Sequence, residues 1–167
     1  IDPESYADNH PELAEEYHDI MGRKGIWPAE AEVKVRSRTT ILASLLLRRG
    51  QADALIAGPV GSFKGHLRHT LDIIGLRPEV SVPASVQMLI LDKGTYFIAD
   101  AYVNYDPDAN RVADITILAA KELLRFGITP KVALVCHSNF GSTDEPSAVK
   151  MREALQVIRQ RMPDLEC

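Results

Sequence analysis

Gly58, Gly61, Ser62, Lys64, Gly65, His66, Arg68 and His69 fall together in the stretch ALIAGPVGSFKGHLRHTLDIIG, residues 54–75. An apolar run enters, glycines break it, and a basic cluster leads into an amphipathic pattern. Strand, Gly-rich turn and helix start is the arrangement that presents backbone N–H groups to a phosphate. A second turn of similar make-up, CHSNFGSTDEP at 136–146, carries Ser138, Asn139, Gly141 and Ser142. In α/β sheets, ligands bind beyond the carboxyl ends of strands, where such turns lie. Taken singly, either turn also reads as a connecting loop whose glycines only permit positive φ. Two of them, one backed by Lys64, His66, Arg68 and His69, point to an anion site.

The spacing narrows the chemistry. Lys64 precedes Gly65 and no Ser or Thr follows it, so the first turn is not a G-x-x-x-x-G-K-[ST] phosphate loop. Its glycines, at 58, 61 and 65, do not spell G-x-G-x-x-G either, so no dinucleotide fingerprint is present. His137 beside Ser138 does not make a nucleophile–base pair. Cys136 ends an apolar run and reads as a packed small hydrophobe rather than a reactive thiol. His66 and His69 could share a helix face, but a metal site needs a third ligand and none is evident. Asp100, Asp106 and Asp108 read as turn and cap residues.

The elements that must position these groups follow from periodicity. HPELAEEYHDIMGRKG places Leu13, Tyr17 and Ile20 on one helical face, with Pro11 in the first turn and Gly22 or Gly25 ending it. PAEAEVKVR, led by Pro28, and SRTTILASLLLRRG, closed by Gly50, predict two more helices. ADALIAG predicts a buried strand, and a helix follows from about Ser62 to Ile74. Two β-rich runs, 84–91 and 95–103, joined by Asp92-Lys93-Gly94, predict a hairpin. Asp106-Pro107 marks a helix start, with Asp106 as its cap and Val112, Ile115, Leu118, Leu123 and Phe126 on one side. PKVALVCH predicts another buried strand. The last helix, 145–162, sets Met151, Leu155, Ile158 and Met162 in register. The expected class is α/β, a layered α/β/α arrangement with a mixed sheet.

The 167 residues are 46% hydrophobic and 25% charged, the balance of an ordinary globular protein. A formal charge of −4 argues against non-specific nucleic-acid binding, and no apolar window reaches the roughly 20 residues of a membrane span. The two cysteines suit neither a metal motif nor a disulfide framework, so a reducing cytoplasm is expected. The chain opens on Ile1 and stops at PDLEC directly after a helical pattern, and it is expected to be a fragment.

The order of motifs resembles a known family. The segments HLRHTLDIIGLRP, LILDKGTYFIADAYVNYDP, RFGITPKVALVCHSNFGS and KMREALQVIRQRMPDLE are similar to the phosphotransacetylase-like C-terminal region of bacterial NADP-dependent malic enzymes. The resemblance implies a two-lobed fold related to phosphotransacetylase and isocitrate dehydrogenase. Residues 1–75 would be part of the first lobe, and 76–167 the second, hairpin-bearing lobe through which the protein forms a homodimer or higher homo-oligomer. It further implies a regulatory region that senses acetyl-CoA. Malate oxidation to pyruvate, with NADP and a divalent metal, would belong to an N-terminal catalytic part of the same chain that is not in this sequence.

The resemblance also assigns residues. Arg68 in HLRHTL matches an arginine of an L-R-P stretch in the phosphotransacetylase cleft, with His69 in place of the proline. The second turn of the transferases reads S-x-S-T-K-G-S. Here Cys136 replaces the first serine, Asn139 the threonine and Phe140 the lysine, while Ser138, Gly141 and Ser142 match. The implied effector positions are Gly58, Gly61, Ser62, Lys64, Arg68, Ser138, Asn139, Gly141 and Ser142, with no catalytic residue among them. An active phosphate acetyltransferase is the alternative.

Overall fold

A computed structural model describes residues 3–167, which divide into two compact units, the first ending at Leu76 and the second running from Arg77 to Cys167.

The described part of the first unit is helical: α1 Pro3–Asn9, α2 Glu12–Met21, α3 Pro28–Ser37, α4 Thr39–Arg48 and α5 Phe63–Ile73. The α2 pattern places Leu13, Tyr17 and Met21 four residues apart, and all three are buried. Pro28 starts α3 because its fixed φ suits the first helical position. A single extended residue, Arg38, separates α3 from α4. Val35, Ile41, Leu42, Leu45 and Ile73 complete the core with α2. Charged groups fasten its rim: Arg49 Nε donates to Glu16 at 2.6 Å, and Arg48 Nη1 donates to the Ile73 carbonyl at 2.6 Å.

The run at 52–58 is not the buried strand its apolarity predicts. No strand forms there, and Ile56 is 97% exposed. Apolar residues make a strand only when a neighbour takes up the backbone N–H and C=O groups, and no described segment pairs with this one.

The second unit contains β1 Gln87–Leu91, β2 Gly94–Ile98, α6 Ala109–Arg125 and α7 Pro146–Arg161. The hairpin is antiparallel, with Leu91 opposite Gly94 and Gln87 opposite Ile98. It is shorter than the runs 84–91 and 95–103, and Gly94 belongs to β2 rather than to the turn. The cause is Asp100. Its carboxylate accepts from the backbone N–H groups of Ser85 (3.2 Å), Val103 (3.3 Å) and Asn104 (2.8 Å), from the Asn104 amide (2.6 Å) and from the Ser85 hydroxyl. Those backbone groups are thereby withdrawn from the ladder.

The α6 cap is Asp108, which accepts from Arg111 N–H at 2.8 Å, and not Asp106, which pairs with Lys150 at 2.6 Å. The buried face of α6 is also rotated from the expected one. Of the expected face Ile115 is buried, Val112, Leu118 and Leu123 are half-buried and Phe126 is 71% exposed, while Ala113, Thr116, Ile117 and Ala120 are buried beside it. Small residues decide this face: Ala113 and Ala120 on α6, with Ala148 and Ala154 on α7, are almost wholly buried, and Ile158 and Leu165 join the core. Of the residues expected in register on α7, Ile158 is buried and Met151, Leu155 and Met162 are half-buried. PKVALVCH is likewise no buried strand. It holds one isolated parallel bridge, Lys131 to Glu166, and its side chains alternate between covered and open.

Burial works against a charged Asp100, but the bonds from Ser85, Asn104 and Val103 outweigh it and bring its pKa down from 3.8 to about 2. A lowered folded-state pKa stabilises above the unfolded value and is lost as pH falls through the folded one. Asp100→Asn should therefore lower stability at pH 7 by about 1–2 kcal/mol after solvent screening. Urea titrations should show the gap between the two proteins closing between pH 4 and pH 2.

Candidate functional site

The first turn leaves the segment 52–61 and enters α5 through Ser62. That residue is extended (φ −97, ψ 143), and its Oγ accepts from Gly65 N–H at 3.1 Å, a helix N-cap. Gly65 costs helix propensity, but a Cβ there would lie 3.1 Å from the capping hydroxyl. Gly61 has φ +104, and a Cβ on it would meet His66 Nε2 at 3.1 Å. The positive φ favours glycine at 61, and at 65 a larger residue would make the Ser62 side chain give by a few tenths of an ångström.

The basic residues behind the turn separate into two groups. Lys64 and Arg68 are exposed, Arg68 by 79% of its side chain. Arg68 Nε lies 3.7 Å from Asp72, which also binds Lys24 Nζ at 2.5 Å. His66 is committed on both ring nitrogens, to Thr40 Oγ1 at 2.7 Å and to the Val60 carbonyl at 2.8 Å. Burial, and then the Arg38 cation, hold His69 below the usual imidazole range. Charge available to a ligand at this turn therefore comes from Lys64 and Arg68.

The second turn lies between the extended segment 130–137 and α7. Asn139–Gly141 forms one 3-10 turn in which Phe140 has φ +51 and is fully exposed. The left-handed region costs an L-residue about 1–2 kcal/mol. Arg152 of α7 pays back part of the strain by clasping the turn. Its Nη1 donates to the carbonyls of Gly141 (2.5 Å) and Thr143 (2.6 Å), and Nη2 meets Asp144 at 3.0 Å. Ser138 Oγ is buried without a hydrogen-bond partner among the described residues, while Asn139 is open to solvent. His137 Nδ1 bonds Ser147 Oγ at 3.0 Å, not Ser138. Cys136 and Cys167 are free thiols, and Cys136 Sγ lies 3.8 Å from the Ser138 carbonyl.

Sequence reading missed the His66 and Arg152 clasps. His66 carries a faint signal, one turn into a helix behind a glycine turn. Arg152 carries none, because its partners lie 9 and 11 residues away. Among the described residues no three His, Cys, Asp or Glu side chains gather as a metal site. No described helix is long and apolar enough to cross a membrane.

Helical units, an inserted hairpin and two glycine turns leading to helices define an α/β protein of the phosphotransacetylase type. EutD phosphotransacetylase from Staphylococcus aureus superposes with a TM-score of 0.80 at 26% identity, over 98% of this chain and 49% of that one. A phosphotransacetylase from Streptococcus pyogenes gives 0.80 at 27%, over 93% and 47%. The chain belongs to the phosphate acetyl/butaryl transferase family, which matches residues 1–167. It is 49% identical over 156 residues to the NADP-dependent malic enzyme of Haemophilus influenzae, covering 93% of this chain and 21% of that protein. The phosphate acetyltransferase of Synechocystis is 30% identical over 99% of this chain and 23% of its own length. The chain thus spans about a fifth of the curated relatives it matches. The resemblance to malic enzymes and the α/β, phosphotransacetylase-like fold both hold.

Ser62→Ala should remove the α5 cap and cost about 1 kcal/mol. Ser62→Asp should retain most of that stability. Paired thermal melts of the two variants check it.

Proposed function

We propose that this chain is the regulatory and oligomerising region of a malic enzyme, binding acetyl-CoA as an effector without transforming it. Phe140 carries the reading. It stands fully exposed at the crown of the second turn, where the transferase pattern has lysine. Phenylalanine supplies neither a donor nor a charge to the anion that develops during acyl transfer. Binding groups persist at the first turn, where Lys64 and Arg68 are exposed beside a helix start, an arrangement that suits an anion. A site that binds ground and transition states alike does not accelerate the reaction. Such a site suits an effector.

On this reading malate oxidation, NADP and a divalent metal belong to a catalytic part of the same cytoplasmic protein. The partners are that catalytic part and further copies of the same chain, with neither nucleic acid nor membrane involved. Self-association draws support from the hairpin, where Leu89, Leu91, Tyr96 and Ile98 are exposed on one face.

A full-length protein carrying this chain should bind acetyl-CoA and change its malic-enzyme rate in response. It should form no acetyl phosphate above background. Arg68→Ala should weaken acetyl-CoA by about 1.5–3 kcal/mol in calorimetry, the scale of a charge-assisted hydrogen bond. Robust acetyl transfer to phosphate would replace this reading with an active phosphate acetyltransferase. For self-association, sedimentation should find a dimer or larger species burying more than about 1,200 Å² through residues of the second unit. A monomer at micromolar concentration would refute that part.

A further inference from the structure

Residues 52–61 form no ladder with any described segment. One tie between this segment and the helices of its unit is the Val60 carbonyl, which accepts from His66 Nε2 at 2.8 Å. A carbonyl can only accept, so Nε2 carries the ring proton. In the neutral ring Nδ1 then accepts from the Thr40 hydroxyl at 2.7 Å. Thr40 is itself buried on α4, so the anchor at the far end is fixed. The chain of contacts runs from a buried helix, through one imidazole, to the peptide that precedes Gly61.

That peptide matters because it is a rigid plane. In a trans peptide the C=O and the following N–H point in opposite directions. Holding the Val60 carbonyl against His66 therefore turns the Gly61 N–H away from the ring. Gly61, at φ +104, continues into Ser62, whose side chain is used on Gly65 N–H. The ring also occupies the space that a Cβ at 61 would need, so ring and glycine fit as a pair.

We propose that His66 is a positioning residue, which aims the Gly61 N–H outward as a preset donor for a phosphate oxygen of the bound CoA ester. The proposal rests on the effector reading above. It assigns His66 no direct contact with the ligand. Lys64 and Arg68 supply charge, and the His66 clasp supplies direction. Without it, the turn must be ordered at the moment of binding and affinity falls accordingly.

The test uses the full-length protein with three substitutions: His66→Ala, His66→Gln and Thr40→Val. In wild type, nitrogen NMR of the His66 ring should show the proton on Nε2. Amide exchange at Gly65 and His66, which bond to Ser62, should quicken about tenfold in His66→Ala, the effect of one lost hydrogen bond. His66→Gln keeps a donor toward Val60 and should stay within about threefold of wild type. Acetyl-CoA affinity should follow the same order, with Thr40→Val between the two. A ring proton on Nδ1, or wild-type exchange in His66→Ala, would overturn the clasp whether or not acetyl-CoA binds. Wild-type affinity in His66→Ala alongside faster exchange would overturn its role in binding. Failure of the wild-type protein to bind acetyl-CoA, with exchange responding as expected, would remove the effector reading and the donor role but leave the clasp standing.

Discussion

Every peptide group needs a hydrogen-bond partner, and a segment without a neighbouring strand must find it in side chains or water. Much of this chain is built around that requirement. Asp100 takes up three backbone N–H groups around the hairpin base, Arg152 takes up two carbonyls of the second turn, and His66 takes up one in the first. Each acts from a residue with secure anchorage: Arg152 and His66 sit on helices, and Asp100 sits within its own net of donors. Turns held this way are shaped by a few polar contacts rather than by packing, which is the usual arrangement for loops that carry function.

The two units reach stability by different means. The first surrounds Tyr17 with Leu13, Val35, Ile41 and Leu45, a core of large side chains from several short helices. The second brings α6 and α7 together over alanines, which lets two backbones lie close and leaves little volume for truncation to remove. Substitutions should be felt as cavities in the first and as overcrowding in the second.

The helices were legible because their signals are local. Leu13, Tyr17, Pro28, Gly50 and Ser62 announce faces, starts and ends within a few residues. What escaped was set at a distance. The run at 52–58 has the composition of a strand, yet composition does not provide a neighbour to pair with. The hairpin ends were hidden because Asp100 reaches Ser85 across 15 residues. The α6 cap is Asp108 rather than Asp106 because the helix begins at Ala109; Asp106, two residues before the cap, pairs with Lys150, 44 residues away. The face of α6 was misread because large apolar residues outweighed alanines in the pattern, whereas close helix packing favours the alanines. At the candidate site, the glycines and Arg68 could be found by type and spacing. The engagement of both His66 nitrogens could not, since one partner lies on another helix.

The pairing of Gly65 with the Ser62 cap has a bearing on how this region can change over generations. Alanine at 65 improves the helix in isolation, yet its methyl group would press on the oxygen that begins that helix. Each position therefore bears on the other: a larger residue at 65 asks the Ser62 hydroxyl to shift by a few tenths of an ångström, so changes at the two sites are felt together. The same holds one turn earlier for Gly61 and His66, where the smallest residue and an aromatic ring divide a single space. The start of this helix is therefore two interlocked bargains, each slow to renegotiate.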